Sequence, residues 1–339
     1  MLHSYSSSAH RHRPQPSHAH RLTVIGMLAF LLLITACSQG NLDMLGMFYT
    51  KSELADERFT QSEEYNATHP FDTIRVSAEA YRVYYMTDVH TDSTTINLDT
   101  FFTQVLSDAY PAMQHPRPGQ VCSAPFCCCL GDIVNAVGHY PLFQSRVEAL
   151  ERAGVRMYCT PGNHDIYYDQ WEEYRSYYHT SHFCVVVRTP AGREDLFIFI
   201  DTSSATLGVL QMDWLKNTLR EAKAANYRHI IVNTHTHFWK KDQSQGHTSN
   251  LPLEETYELA HLFSQYGVEL VMQGHGHCRD LQQFKNVKYL RIDALEDHYY
   301  NAAYCILHIG DKQSANEGIT WQHVPVGPQD ASEAYRPID

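Results

Sequence analysis

Val155-Arg156-Met157-Tyr158-Cys159-Thr160-Pro161-Gly162-Asn163-His164-Asp165 is the stretch on which the reading of this chain turns. Val155 to Cys159 is an apolar-rich run of strand length, and Pro161-Gly162 closes it. An amide, an imidazole and a carboxylate then follow one another directly. The same arrangement recurs along the sequence. Asp88 and His90 stand just past the run Tyr81–Thr87, and Gly131-Asp132 just past Phe126–Leu130. His235 follows His229–Thr234, and Gly274-His275-Gly276-His277 follows Val268–Gln273. In layered α/β folds, ligand sites form beyond the carboxyl ends of strands. Residues tens of positions apart can therefore converge on one site.

Around these runs the pattern alternates. Further strands are expected over Phe183–Arg188, Leu196–Asp201, Val287–Ile292, Ala303–Ile309 and Gly318–Val324. Amphipathic spacing predicts helices over Leu98–Tyr110, Leu142–Ala153, Gln211–Ala225 and Leu253–Tyr266, with a short one over Ser52–Asn66. Alternation of this kind implies an α/β or layered α+β architecture. The stripes Trp214, Leu215, Leu219 and Leu259, Leu262, Phe263 read as core packing. Residues 111–125 are proline-rich and read as a loop. Residues 166–178 are crowded with aromatics (Tyr167, Tyr168, Trp171, Tyr174, Tyr177, Tyr178) and read as a helix or an overhanging loop.

The first residues call for separate treatment. Residues 1–21 carry Arg11, Arg13 and Arg21 and no acid, and the apolar run Leu22–Ala36 follows. That run is short of the roughly 20 apolar residues of a membrane-spanning helix. With the small residues before Cys37 it reads as a signal peptide. A Cys in that place resembles the lipobox of bacterial lipoproteins. The resemblance implies acylation of Cys37 and a membrane attachment in the cell envelope, on the periplasmic or outer-membrane side. The alternatives are an ordinary signal peptide or an uncleaved anchor. The expected organisation is a lipoprotein signal peptide over 1–36, a linker and short helix over 37–75, and the main domain over 76–339.

Without residues 1–36 the chain keeps 23 of its 26 basic residues against all 38 acidic ones, a net charge of −15. Such a charge argues against nucleic-acid polymers as partners. It leaves room for a small phosphorylated substrate, because bound cations invert charge locally. Apart from Cys37 there are eight cysteines, and their spacing fits neither a zinc ribbon nor a small disulfide scaffold. Cys127 to Cys129 and Cys159 lie in apolar runs and read as buried free thiols.

The chain has 22 His, five of them in the leader, so a single His carries little signal. Five ligand-bearing loops, each at a strand end, carry much more. Carboxylates, imidazoles and an amide oxygen suit divalent Mn, Fe or Zn. There are enough of them for two ions, with Asp132 free to bridge. Two such ions about 3.5–4 Å apart can clamp a phosphoryl oxygen and supply hydroxide at neutral pH.

Asp-x-His, Gly-Asp, Gly-Asn-His-Asp, a His after a strand, and Gly-His-x-His, in that order, resemble the motif set of calcineurin-like metallophosphoesterases. The resemblance spans roughly Tyr81 to the C-terminus, and Phe199–Leu215, with Asp201, Gly208 and Trp214-Leu215, adds to it. It implies a four-layer α/β/β/α sandwich of two mixed sheets flanked by helices. It also implies that Asp88, His90 and His277 hold one metal and that Asn163, His235 and His275 hold another, bridged by Asp132. His164 would stabilise the transition state and protonate the leaving oxygen, Asp165 would bond its imidazole, and a metal-bound hydroxide would attack. The expected activity is hydrolysis of a phosphomonoester or phosphodiester by a monomer.

Some positions stay open in sequence. His237 could exchange roles with His235, which is favoured as the first residue off its strand. His237 would then line the pocket. Asn135 stands where purple acid phosphatases carry Tyr, which speaks against a Tyr-ligated ferric site. Asn135 and Arg279 are further candidates on the substrate side, and Tyr167–Trp171 and Phe238-Trp239 are candidate pocket walls or core. The competing reading is a catalytically silent binding or scaffold module of the envelope. Retention of every ligand and of His164 disfavours it.

Overall fold

The computed structural model describes residues 51–114, 125–167, 170–239, 251–297, 299–310 and 318–327; Cys37 with the whole leader, Cys122 and Tyr168 lie outside them. Among the described residues no helix is long and apolar enough to cross a membrane.

The layering follows from strands that are apolar on both faces. In β2 (Tyr81–Met86), Val83 and Tyr85 face one core while Tyr84 and Met86 face another, all without solvent exposure. Strands covered on both sides read as near-continuous apolar runs, which is why Tyr81–Met86 and the run Phe126–Cys129 were legible. The five-stranded sheet has the order β12 (Ile319–Pro325), β11 (Ala303–Ile309), β2, β3 (Phe126–Cys129), β4 (Arg156–Cys159). The seven-stranded sheet has the order β1 (Asp72–Arg75), β5 (Phe183–Arg188), β6 (Glu194–Phe199), β7 (His229–Asn233), β8 (Leu270–Gln273), β10 (Val287–Arg291), β9 (Asp280–Phe284). Both sheets are mixed.

The sheets pack face to face. Val83, Tyr85, Phe126, Cys128, Cys305 and Leu307 of one meet Val185, Phe197, Phe199, Ile231, Met272 and Leu290 of the other. On the outer face of the five-stranded sheet lie α2 (Ile96–Gln114), α3 (Tyr140–Arg152) and α4 (Gln170–Tyr178), through Phe101, Phe143 and Tyr174 among others. On the outer face of the seven-stranded sheet lie α5 (Gly208–Ala225) and α6 (Leu253–Tyr266), through Leu215, Leu219, Leu259 and Phe263. The four-layer α/β/β/α arrangement is therefore present.

Two strands went unread in the sequence. β1 and β9 are edge strands of polar composition, and their pairing with β5 and β10 supplies what their side chains do not. α2 also runs four residues into the stretch read as a loop, past Pro111. Near a helix end that proline costs one backbone bond rather than a break.

Ahead of the first strand, α1 (Lys51–Asn66) docks beside α5. Arg58 reaches Asp201 at 2.8 Å and Ser203 at 3.1 Å, and the Phe59 ring stacks on His182 with centroids 4.2 Å apart. Burial would raise the Asp201 carboxyl, but the Arg58 guanidinium outweighs it and holds the carboxyl below its ordinary range. Among the described residues Cys127, Cys128, Cys129, Cys159, Cys184 and Cys305 are buried and in no disulfide, and Cys278 is half-buried and in none.

Candidate metal centre

β2, β3 and β4 run parallel in one sheet, and β6, β7 and β8 run parallel in the other. Five loops therefore leave the carboxyl ends of β2, β3, β4, β7 and β8 toward one place. The first two loops are zipped together: the N–H groups of Asp88, Val89 and His90 donate to the carbonyls of Gly131, Asp132 and Asp132 at 2.9–3.0 Å. The two sheets are tied at the same level, where His235 Nδ1 lies 2.7 Å from the Leu130 carbonyl.

Local backbone sets the aim of the side chains. Asp88, His90, Asp132, His275 and His277 all have left-handed φ, between 47° and 66°. Each such residue costs about 1–3 kcal/mol and persists where the surroundings over-determine it. Strict alternation would send Asp88 and His90 to the face of Tyr84 and Met86, into the core beneath the helices. The left-handed turns instead bring them, with Asp132, to the sheet edge. Gly162 answers a different need, because a Cβ there would lie 2.2 Å from Asp132 Oδ1.

Three sets of ligand atoms result, each within 4.8 Å of one another: Asp88, His90 and His277; Asp132, His235 and His275; and His90, Asp132 and His164. His277 Nε2 is 3.4 Å from Asp88 Oδ1, and His235 Nε2 is 3.3 Å from Asp132 Oδ2. His235 Nε2 is also 3.1 Å from Asn163 Oδ1 and 3.2 Å from His275 Nδ1. All seven residues assigned to metal by resemblance are thus brought together, and Asp132 lies between the two sides. His235, not His237, belongs to the cluster. The His237 ring is buried against His275, centroids 5.5 Å apart.

The donor set fits a cation. Asp88 Oδ1 and His90 Nε2 are buried and make no hydrogen bond. Leaving such atoms unmet costs about 1–3 kcal/mol each, and a cation at the cluster would meet both. Each imidazole is also fixed from behind. His90 Nδ1 bonds Asn135 Oδ1 at 2.9 Å, and His235 Nδ1 bonds the Leu130 carbonyl, so both rings turn Nε2 toward the cluster.

The charges fit as well. Burial opposes ionisation of Asp132, but His235 first, then His90 and His164, outweigh it and hold the carboxyl far below its ordinary range. Burial would lower His235, yet Asp132 raises it to about 9. Burial and the neighbouring His235 push His275 down to about 2. Burial lowers His164, Asp132 pulls it back, and His90 and His235 lower it again. A neutral His164 ring keeps one N–H to donate.

Three assignments need correction. Asp165 does not orient His164. Its carboxylate faces inward and accepts from Tyr140 Oη at 2.7 Å, Gly162 N at 2.8 Å and Ile133 N at 3.1 Å. It pins the loop that carries Asn163 and His164 to the loop after β3. Burial, then Asp132, raises it to about 6. The Asn135 side chain is engaged by His90, bonding its Nδ1 at 2.9 Å and its carbonyl at 3.0 Å. Arg279 turns into the interior, where its Nε lies 3.2 Å from Asp293 Oδ2 and its side chain is 7% exposed. It is not displayed for a phosphate.

Of the aromatic candidates, Tyr174 and Phe238 are buried, and Trp171 and Trp239 pack against the outer cores. Tyr167 is exposed and lies beside His164, ring centroids 5.8 Å apart. Sequence reasoning passed over Tyr140, two residues ahead of the expected helix, and Tyr299, whose ring sits 5.8 Å from that of His277. Nothing in the sequence around Tyr299 marks it.

Comparison with solved structures gives GAP50, the anchor in the inner membrane complex of Plasmodium, at 14% identity and a TM-score of 0.52, covering 73% of this chain and 84% of that one. The phosphopantetheinyl hydrolase of Mycobacterium tuberculosis follows at 10% identity and a TM-score of 0.37, covering 75% and 99%. At these identities the first likeness speaks to the fold alone. No curated protein matches the chain. The calcineurin-like phosphoesterase family model matches residues 81–279, more than half of the chain and all five ligand loops. With the layers in place and the cluster at the carboxyl edges of both sheets, the chain belongs to the calcineurin-like phosphoesterase family.

Proposed function

We infer that the protein hydrolyses a small phosphorylated substrate, a phosphomonoester or phosphodiester, at a centre of two divalent ions. The observation that carries this reading is the pair of buried, unbonded atoms Asp88 Oδ1 and His90 Nε2 facing a cluster that His235, His275, His277, Asn163 and Asp132 complete. Asp88, His90 and His277 would hold one ion, Asn163, His235 and His275 the other, and Asp132 would serve both. When bound, divalent ions supply charge to neutralise phosphoryl oxygens and a polarised water as nucleophile.

The chain's own residues account for the rest. Asn135 and the Leu130 carbonyl keep protons on the far nitrogens of His90 and His235. The Asp132 oxygen that accepts the His164 N–H at 2.8 Å places the His164 ring over the cluster's rim. From there a neutral imidazole donates a hydrogen bond to the leaving oxygen as it departs. In the net reaction water's OH joins phosphorus, the P–O ester bond breaks, and water's remaining proton ends on the alcohol.

The leader supports a lipid anchor at Cys37 that holds the enzyme in the cell envelope. A Cys37→Ser variant that still fractionates with membranes, and wild type that takes up no labelled fatty acid, would remove that part.

The test of activity is elemental analysis together with assays on p-nitrophenyl phosphate and its bis ester, with added Mn²⁺, beside His164→Ala. About two metals per chain with His164-dependent turnover is expected. Full metal content with no turnover on any ester would favour a silent binding module. A folded protein that takes up no metal would end the reading.

A further inference from the structure

Five rings form a chain of neighbours at the centre. Tyr167 neighbours His164 at 5.8 Å between centroids, His164 neighbours His90 at 4.7 Å, His90 neighbours His277 at 5.2 Å, and His277 neighbours Tyr299 at 5.8 Å. The three imidazoles belong to the centre. The two tyrosines at the ends do not.

The ends are not equivalent. His164 is the ring beside Tyr167, so a leaving oxygen that meets His164 directs its substituent toward Tyr167. Tyr167 is 37% exposed, whereas Gln170 and Tyr174 of α4 are buried. The neighbouring loop carries Val137, 59% exposed. That loop is held on both sides: Asn135 bonds His90, and Gly138 N–H donates to Glu173 of α4. Tyr167 thus offers a partly exposed aromatic side chain beside His164. An aromatic ring at the rim of such a centre is a surface on which a flat group stacks.

We propose that Tyr167 is the wall on which the leaving group stacks, and that the site therefore prefers phosphoesters whose leaving group is a flat aromatic ring over those with a small alkyl group. The proposal rests on the phosphoesterase reading and deepens it. An aromatic ring offset-stacked on Tyr167 gains about three- to tenfold in affinity over a methyl group that cannot stack. Tyr167 touches the substrate but takes no part in bond making.

The experiment uses the full chain loaded with Mn²⁺ and two unreactive probes, phenylphosphonate and methylphosphonate, with binding followed by calorimetry. Wild type should bind phenylphosphonate about three- to tenfold more tightly. Tyr167→Phe should keep that ratio, because it keeps the ring. Tyr167→Ala should bring the ratio near one while leaving methylphosphonate affinity in place, and Tyr299→Ala should leave the ratio unchanged. Equal binding of the two probes by wild type would overturn the proposal and leave the phosphoesterase reading standing. So would an equal loss of both in Tyr167→Ala, or a ratio that follows Tyr299. Failure of the metal-loaded protein to bind either phosphonate would remove the underlying reading and the proposal with it.

Discussion

His90 presents Nδ1 to the side-chain oxygen of Asn135 at 2.9 Å, and the Asn135 amide returns a bond of 3.0 Å to the His90 carbonyl. The pair fixes both the tautomer and the plane of the imidazole. Ring orientation of this kind is worth about 10–100-fold in metal affinity. Asn135→Ala should weaken Mn²⁺ binding by about that factor while the folded structure stays intact, because Asn135 lies at the surface. Calorimetric titration with Mn²⁺ measures it, and unchanged affinity would remove Asn135 from the centre.

Gly162 and Asp132 make a second contact that admits no side chain. A Cβ on residue 162 would stand 2.2 Å from Asp132 Oδ1 and 2.3 Å from the Asp132 backbone nitrogen. The nitrogen is backbone, the carboxylate oxygen is held by the His164 backbone N–H at 2.8 Å, and Asp132 is already in a left-handed conformation at φ 52°. Gly162→Ala should therefore destabilise by about 1–3 kcal/mol and displace Asp132 from both ligand sets. Thermal unfolding and metal content measured together check it. A variant with wild-type stability and full metal content would show that the loop can yield.

The part of this site that was legible in sequence is the part that is local. Each ligand follows an apolar run by one to four residues, so strand and ligand could be read together. Covered strands such as Tyr81–Met86 announced themselves by continuous apolarity, whereas edge strands Asp72–Arg75 and Asp280–Phe284 are polar and owe their form to partners far along the chain. The supports of the ligands were hidden for the same reason. Asp165 was expected to serve its neighbour His164, but the turn through Gly162 points it at Ile133 and Tyr140, more than 20 positions away. Arg279 was a candidate on the substrate side, yet Asp293 draws it inward. Such directions depend on which loops meet, and the one-dimensional pattern does not carry that.

Tyr140 donates to Asp165 at 2.7 Å, and both are buried. A hydrogen bond to a charged group is worth about 1.5–3 kcal/mol, so Tyr140→Phe should lower stability by about that amount at pH 7.5. The Asp165 carboxyl already stands at about 6, because burial and then Asp132 raise it, while Tyr140 pulls it down. Loss of the hydroxyl raises it further. A carboxyl raised above its unfolded value favours the folded state below that unfolded value, near pH 4, and this advantage is lost as pH rises through the folded value. The variant's deficit should therefore be smaller at pH 5 than at pH 7.5. Denaturant unfolding at the two pH values decides it, and a deficit independent of pH would mean that Asp165 does not titrate in this range.

His235 is the ligand whose proton must leave for a metal to bind. Burial opposes its charge, but Asp132 raises it to about 9, well above the ordinary imidazole value of 6.5. A histidine raised in the folded state contributes stability that is complete below pH 6.5 and lost as pH rises through about 9. Protein stripped with a chelator should accordingly lose thermal stability between those limits. Metal-loaded protein should not follow it, since a cation on His235 Nε2 replaces the proton beside Asp132. The same proton competes with the metal, so affinity for Mn²⁺ should rise by about tenfold per pH unit from 6.5 to 8.5, with about one proton released per chain from this residue. Titrations in buffers of different ionisation enthalpy count that proton. If none is released at pH 7, His235 is already neutral in the metal-free protein, and the rise of affinity with pH does not come from it.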